Sequence, residues 1–157
     1  MLTYVAAQPE QYGEFLQLLR EEMKTYLERT IEIMQISWEE FEKLFFTRGK
    51  VLGIYEDGRL AGFYWIEERD NVLHIHALVL RDRFRGRGIG TEVLRMLEAQ
   101  YGASVGAFEL GVHESNLRAR ALYEREGYQR VETLVHLGFT IMQKAMKPPG
   151  AAEPPAA

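Results

Sequence analysis

Arg81-Asp82-Arg83-Phe84-Arg85-Gly86-Arg87-Gly88-Ile89-Gly90 stands between a run that alternates like a strand and one that repeats like a helix. Such a junction suits phosphate. Glycines at alternate positions let the backbone turn tightly and present successive N–H groups, the start of the helix adds about half a positive charge, and the arginines add whole ones. A pyrophosphate is the natural guest. The spacing G-x-G-x-G also excludes two better-known phosphate loops. A dinucleotide fingerprint needs G-x-G-x-x-G with an acidic ribose contact downstream, and a Walker loop needs G-K-[ST] after its second glycine; here the lysine is absent and Arg81, Arg83, Arg85 and Arg87 precede the helix. A nucleotide kinase or dehydrogenase is therefore disfavoured.

A second pattern lies downstream. Phe108-Glu109-Leu110-Gly111-Val112 reads as a strand, followed by His113-Glu114-Ser115 and then by Asn116-x-x-Ala119-x-x-Leu122-Tyr123-Glu124-x-x-Gly127-Tyr128. Together the two stretches resemble the GNAT superfamily of acyl-CoA-dependent N-acetyltransferases, whose Q/R-x-x-G-x-G/A signature is met by Arg85-Gly86-Arg87-Gly88-Ile89-Gly90 and whose fifth strand is followed by an asparagine and a short helix with Leu-Tyr. The resemblance implies an α/β (α+β) fold: a mixed, mostly antiparallel sheet of about seven strands flanked by about four helices, with the fourth and fifth strands splayed apart.

Length and composition agree with one such domain. A chain of 157 residues buries enough surface to need no staple, and the absence of cysteine excludes disulfides, thiolate metal sites and cysteine nucleophiles. A cytoplasmic protein is expected. Met1 to Gln8 lacks the basic and apolar regions of a signal peptide, and no uncharged run reaches the ~20 residues needed to span a bilayer, so no membrane association is expected. The net charge of −4 argues against nucleic acid, which draws basic surfaces. Positive charge is concentrated instead between Arg81 and Arg87, while Glu21, Glu22, Glu28, Glu32, Glu39, Glu40 and Glu42 crowd the N-terminal third.

Along the chain, Leu2 to Ala6 is a strand candidate, and Pro9 opens a helix with Tyr12, Phe15, Leu16, Leu19 and Met23 at helical spacing. A second helix starts at Ser37, where Glu40 completes a capping box. Residues 24–36 show no clear period and are expected to carry acceptor-specific structure. Lys50 to Tyr55 and Leu60 to Glu67 read as a hairpin around Asp57-Gly58, with a turn at Arg69-Asp70-Asn71 leading into a strand over Val72 to Leu80. Ile89, Val93, Leu94 and Leu97 line a helix stopped at Gly102; a strand at 107–112, a helix near 116–126 and strands near 128–135 and 138–146 follow. Residues 1–146 thus form the domain. The Pro- and Ala-rich stretch 147–157 reads as a mobile tail.

The resemblance also implies chemistry. The co-substrate would be acetyl-CoA, its pyrophosphate on Arg85, Gly86, Arg87, Gly88, Ile89, Gly90 and Thr91, its pantetheine along the backbone of Leu78, Val79 and Leu80, with Asn116 and Tyr123 beside it. No metal is expected, although His74, His76 and His113 offer a site on paper. Tyr123 falls on the family's leaving-group tyrosine, a general acid, the alternative being a buried aromatic on an amphipathic helix. For the base, His74 and His76 sit two apart on one strand and face one side with Leu78 and Leu80, with His76 nearer the expected thioester; Glu109 and Glu67 are the carboxylate alternatives. These two histidines otherwise read as sheet residues. The acceptor would be a small-molecule or peptide amine, and a homodimer is compatible with the family. The other functional reading is a CoA-binding or regulatory member that keeps the pocket without catalysis.

Overall fold

The computed structural model describes residues 1–146 and holds a single seven-stranded sheet in the order β1-β2-β3-β4-β5-β7-β6. The expected tail, 147–157, lies outside the described residues. The strands are β1 (Leu2–Ala6), β2 (Lys50–Glu56), β3 (Arg59–Arg69), β4 (Val72–Leu80), β5 (Ala107–His113), β6 (Gln129–Leu134) and β7 (Phe139–Ala145). The helices are α1 (Tyr12–Met23), entered through a 3-10 turn at Pro9–Gln11, α2 (Leu27–Met34), α3 (Trp38–Thr47), α4 (Ile89–Tyr101) and α5 (Leu117–Arg125). Among the described residues no helix is long and apolar enough to cross a membrane.

Local chemistry explains most boundaries. Asp57 and Gly58 take φ of 49° and 81°, and Asp70 and Asn71 take 54° and 64°, so both hairpins turn through two left-handed residues that match the twist of the strands they join. Ser37 accepts a hydrogen bond from the Glu40 amide at 3.0 Å while the Glu40 carboxylate accepts from the Ser37 amide at 3.3 Å. That capping box starts α3, the third helix and not the second. The extra helix, α2, lies within the stretch whose sequence shows no period. Leu27 and Ile31 turn inward, but Ile33 and Met34 are about half exposed, which blurs the amphipathic pattern; Gln35 ends the helix in a left-handed conformation.

Two cores sandwich the sheet. On one side α4 contributes Val93, Leu94 and Leu97 against Leu73, Ile75, Phe108 and Leu110. On the other, Phe15, Leu16 and Leu19 of α1 and Phe45 of α3 pack on Phe63, Trp65, Ala77 and Val79. Strand β4 changes face along its length. Trp65 pairs with Ala77 and the next residue, Ile66, pairs with Ile75, so His76 is the extra residue of a β-bulge. The bulge corrects one expectation: Leu78 and Leu80 join the α4 side, whereas Ala77 and Val79 face α1. The histidines stay together, with rings 12° from parallel and 6.0 Å apart, but the two leucines do not share their face.

Candidate active site

Strands β4 and β5 run parallel, and the connection between them is the Arg81–Gly88 loop followed by α4. They pair only from Val72 opposite Ala107 to Ile75 opposite Leu110. Beyond Ile75 the strands separate. A cleft of about 90 Å³ opens there, lined by Ile75 to Val79 on one side and by Leu110 to His113, Asn116 and Tyr123 on the other.

In the loop that leaves β4, Gly86 and Gly88 adopt φ of 73° and 81°, and nothing lies within 4 Å of where a Cβ would stand on either. Gly88 is the N-cap residue of α4 and supplies no side-chain acceptor, so the amides of Ile89, Gly90 and Thr91 begin the helix without an intrahelical partner. An anion can approach that terminus closely. Gly90 is glycine for another reason: a Cβ there would come within 2.9 Å of Leu122, so it sets how tightly α4 packs on α5.

Arg85 and Arg87 of the loop are already engaged. Arg85 donates to the Leu80 carbonyl at 3.0 Å, to Glu22 at 2.9 Å and to Asp82 at 2.8 Å, while Arg87 pairs with Glu56 and lies over the Phe84 ring. Glu22 of α1 is a contact the sequence reading missed. It also accepts from Asn116 Nδ2 at 3.3 Å, and so ties the Arg81–Gly88 loop to the start of α5 across the cleft. A carboxylate on the same helical stripe as Phe15 and Leu19 is the signal that would have found it. Asn116 itself caps α5, its Oδ1 accepting from the Ala119 amide at 3.2 Å.

Tyr123 is buried on α5 and lines the cleft. Burial pushes its phenol well above the usual tyrosine range, and the Glu22 and Tyr26 charges add to the shift. It stays protonated at neutral pH. Tyr26 is pushed up to about 12 by burial and then by Glu22, and its ring stacks 3.9 Å from that of His113.

The histidines and the carboxylate alternatives meet as two pairs. His76 Nε2 lies 2.8 Å from Glu67 Oε1, and His74 Nδ1 lies 3.0 Å from Glu109 Oε2, whose other oxygen accepts from Gln143 at 2.8 Å. Burial lowers the His76 pKa below the ordinary value, with the neighbouring His74 and Arg48 charges adding to it; the Glu67 pair opposes without reversing the shift. For Glu67, burial alone would raise the carboxyl, but hydrogen bonds from His76 and Arg48 hold it below its usual range. Glu67 is thus an acceptor, His76 Nε2 carries the proton, and Nδ1 of the neutral ring keeps its lone pair. His113 stands apart from this group, hydrogen-bonded to Ser115 at 2.7 Å. Past the pairs a larger cavity of about 410 Å³ opens between α2, α3, β3 and β5, walled by Met34, Phe41, Trp65, Phe139 and Ile141. It shares Leu19, Met23, Ile75, His76, Leu110, Gly111 and Phe139 with the cleft, so the two spaces adjoin and His76 borders both.

A family model described as the acetyltransferase (GNAT) family matches residues 14–128. The chain belongs to this family. A solved GNAT relative, the PaiA N-acetyltransferase of Thermoplasma acidophilum in complex with coenzyme A, superposes with a TM-score of 0.67 at 18% identity, covering 92% of this chain and 99% of that one. A GNAT acetyltransferase of Elizabethkingia anophelis with acetyl-CoA bound gives a TM-score of 0.69 at 12% identity, covering 92% and 98%. At such identities the likeness concerns the fold. In sequence, an uncharacterized N-acetyltransferase of Methanocaldococcus jannaschii is 37% identical over 75 residues, which span 46% of this chain and about half, 48%, of that relative.

Proposed function

We propose that this GNAT protein is an N-acetyltransferase that moves the acetyl group of acetyl-CoA to a primary amine by direct attack. The observation that carries the reading is the cleft where β4 and β5 separate: Tyr123 and His76 line it, and the loop that leaves β4 ends in the uncapped glycine turn. Acetyl-CoA would supply an acyl group activated as a thioester. The amides of Ile89 to Thr91 would hold its pyrophosphate, with Arg85 and Arg87 exchanging their present carboxylate partners for phosphate oxygens. The free edge of β4 beyond Ile75 would take the pantetheine as an added strand takes its neighbour.

Each proton has a place to go. As the amine nitrogen bonds to the acyl carbon and the carbon–sulfur bond breaks, the amine's proton passes to Nδ1 of His76, directly or through one water. The departing sulfur takes the phenol proton of Tyr123, and exchange with solvent resets both groups. Asn116 and Glu22 border this space and hold the start of α5, hence Tyr123, against α1.

The decisive experiment incubates acetyl-CoA with a panel of amines and measures free thiol. Thiol release that depends on the amine supports the reading. Tyr123→Phe keeps the ring and its packing, so it should bind acetyl-CoA normally and lose about 10²–10⁴ in turnover when chemistry limits the rate. Amine-independent thiol release throughout, or full turnover in Tyr123→Phe, would count against the mechanism.

A further inference from the structure

The larger cavity contains two guanidinium groups that acetyl transfer does not use. Arg48, just after α3, and Arg69, at the end of β3, line it together with His74, His76 and Trp65. One carboxylate serves both. Glu67 accepts from Arg48 Nε at 2.9 Å, its other oxygen lies 2.8 Å from His76 Nε2, and Arg69 Nη1 stands 3.6 Å from that same oxygen. Among the described residues, the Arg48 guanidinium donates no other hydrogen bond and Arg69 donates none. Their side chains are 44% and 42% exposed, so the unfilled N–H groups are open to a ligand.

Two guanidinium groups sharing one carboxylate leave N–H groups unfilled in a geometry that matches a planar anion, while the cavity's other carboxylate, Glu109, is bonded to His74 and Gln143. The position of that anion is constrained. His76 and Arg48 bond to opposite oxygens of Glu67 and both line the cavity, so a carboxylate on the free N–H groups of Arg48 and Arg69 would lie in the same space as His76. Apart from Thr30 and the paired Glu109, the remaining wall, from Met34 and Phe41 to Phe139 and Ile141, is apolar.

On the acetyltransferase reading above, we propose that the acceptor is a free α-amino acid with an apolar side chain. Its amine faces His76, its carboxylate binds Arg48 and Arg69, and its side chain fills the space beside Trp65 and Phe41. A peptide N-terminus carries an amide in place of the α-carboxylate, and a simple arylalkylamine lacks the group altogether.

The test compares L-phenylalanine and L-methionine with their primary amides and with 2-phenylethylamine, in wild type and in Arg48→Gln/Arg69→Gln. Because a hydrogen bond to a charged group is typically worth about tenfold to a hundredfold in affinity, wild-type kcat/KM should favour each acid over its amide by at least about tenfold. The double variant should bring that ratio near one, whatever change acid and amide share through the loss of Arg48 beside Glu67 and His76. Calorimetry of acid and amide against the CoA-loaded protein reads the same preference without turnover. If amides and acids react or bind alike in wild type, the proposal is overturned even though acetyl transfer stands. If no amine releases thiol but acids still bind more tightly than amides, and lose that advantage in the variant, the carboxylate pocket stands and the acetyl-transfer reading falls.

Discussion

His76 owes its position to a backbone irregularity and its chemistry to two opposed forces. The bulge removes its cross-strand partner and turns its ring toward Trp65, 4.7 Å away, where burial disfavours the imidazolium. The hydrogen bond to Glu67 pulls the other way and loses. A base that is neutral below its ordinary pKa works over a wider acidic range, so the acidic limb of the kcat/KM profile should fall below the ordinary imidazole value of 6.5. Glu67→Gln removes the interaction that raises His76 and leaves the Arg48 charge, which lowers it. The limb should then move further toward acid. His76→Gln should abolish the limb while sparing acetyl-CoA affinity. A limb that stays in place in both variants would transfer the proton to Glu109 or to water.

At the scale of elements, the glycine loop divides its labour. Gly88 needs its left-handed φ of 81° and open space, whereas Gly90 is limited only by the flexible end of Leu122. Gly88→Val strains the turn at a cost of order 1–3 kcal/mol and puts a branched side chain where the pyrophosphate would come. Gly90→Ala asks Leu122 to shift and gains helix propensity in return. In calorimetry, Gly88→Val should lose acetyl-CoA binding while Gly90→Ala keeps it within a few-fold, with circular dichroism confirming that both fold. Equal binding by the two variants would remove the loop from the cofactor site. This loop, the Asp-Gly hairpin and the Ser37 cap were legible because each is a local rule with its own residues. Helix α2 and the β4 bulge were not. The first is short and half exposed, with Ile33 and Met34 outside its inward stripe, and the second alters strand parity with no glycine or proline to announce it. The histidines and the carboxylates were each visible in the sequence, but their pairing across β3, β4 and β5 depends on a register that no single strand encodes.

In the whole molecule, the two halves of the sheet meet across a short seam. Only the stretch from Val72 to Ile75 joins β4 to β5, and past it the cleft is spanned by the side-chain bonds of Glu22 to Arg85 and Asn116. A ligand that bonds to the β4 edge and to the start of α4, and lies against α5, would bridge both halves, and it would bind the folded state alone. At a concentration about a hundred times its Kd such a ligand adds about 2.7 kcal/mol of stability, which for a domain of this size raises Tm by about 5–10 °C. Acetyl-CoA should therefore shift the melting curve of the wild type by that amount. ATP offers phosphates without the pantetheine arm and should shift it less. Glu22→Gln weakens the charge that holds Arg85, so it should lower the Tm of the free protein slightly and leave the acetyl-CoA shift in place or enlarge it, since Arg85 then has no carboxylate partner on α1 to release before meeting phosphate. A smaller shift in Glu22→Gln than in wild type would mean that the Glu22 bridge prepares the site, and that Arg85 does not have to leave it when the cofactor enters.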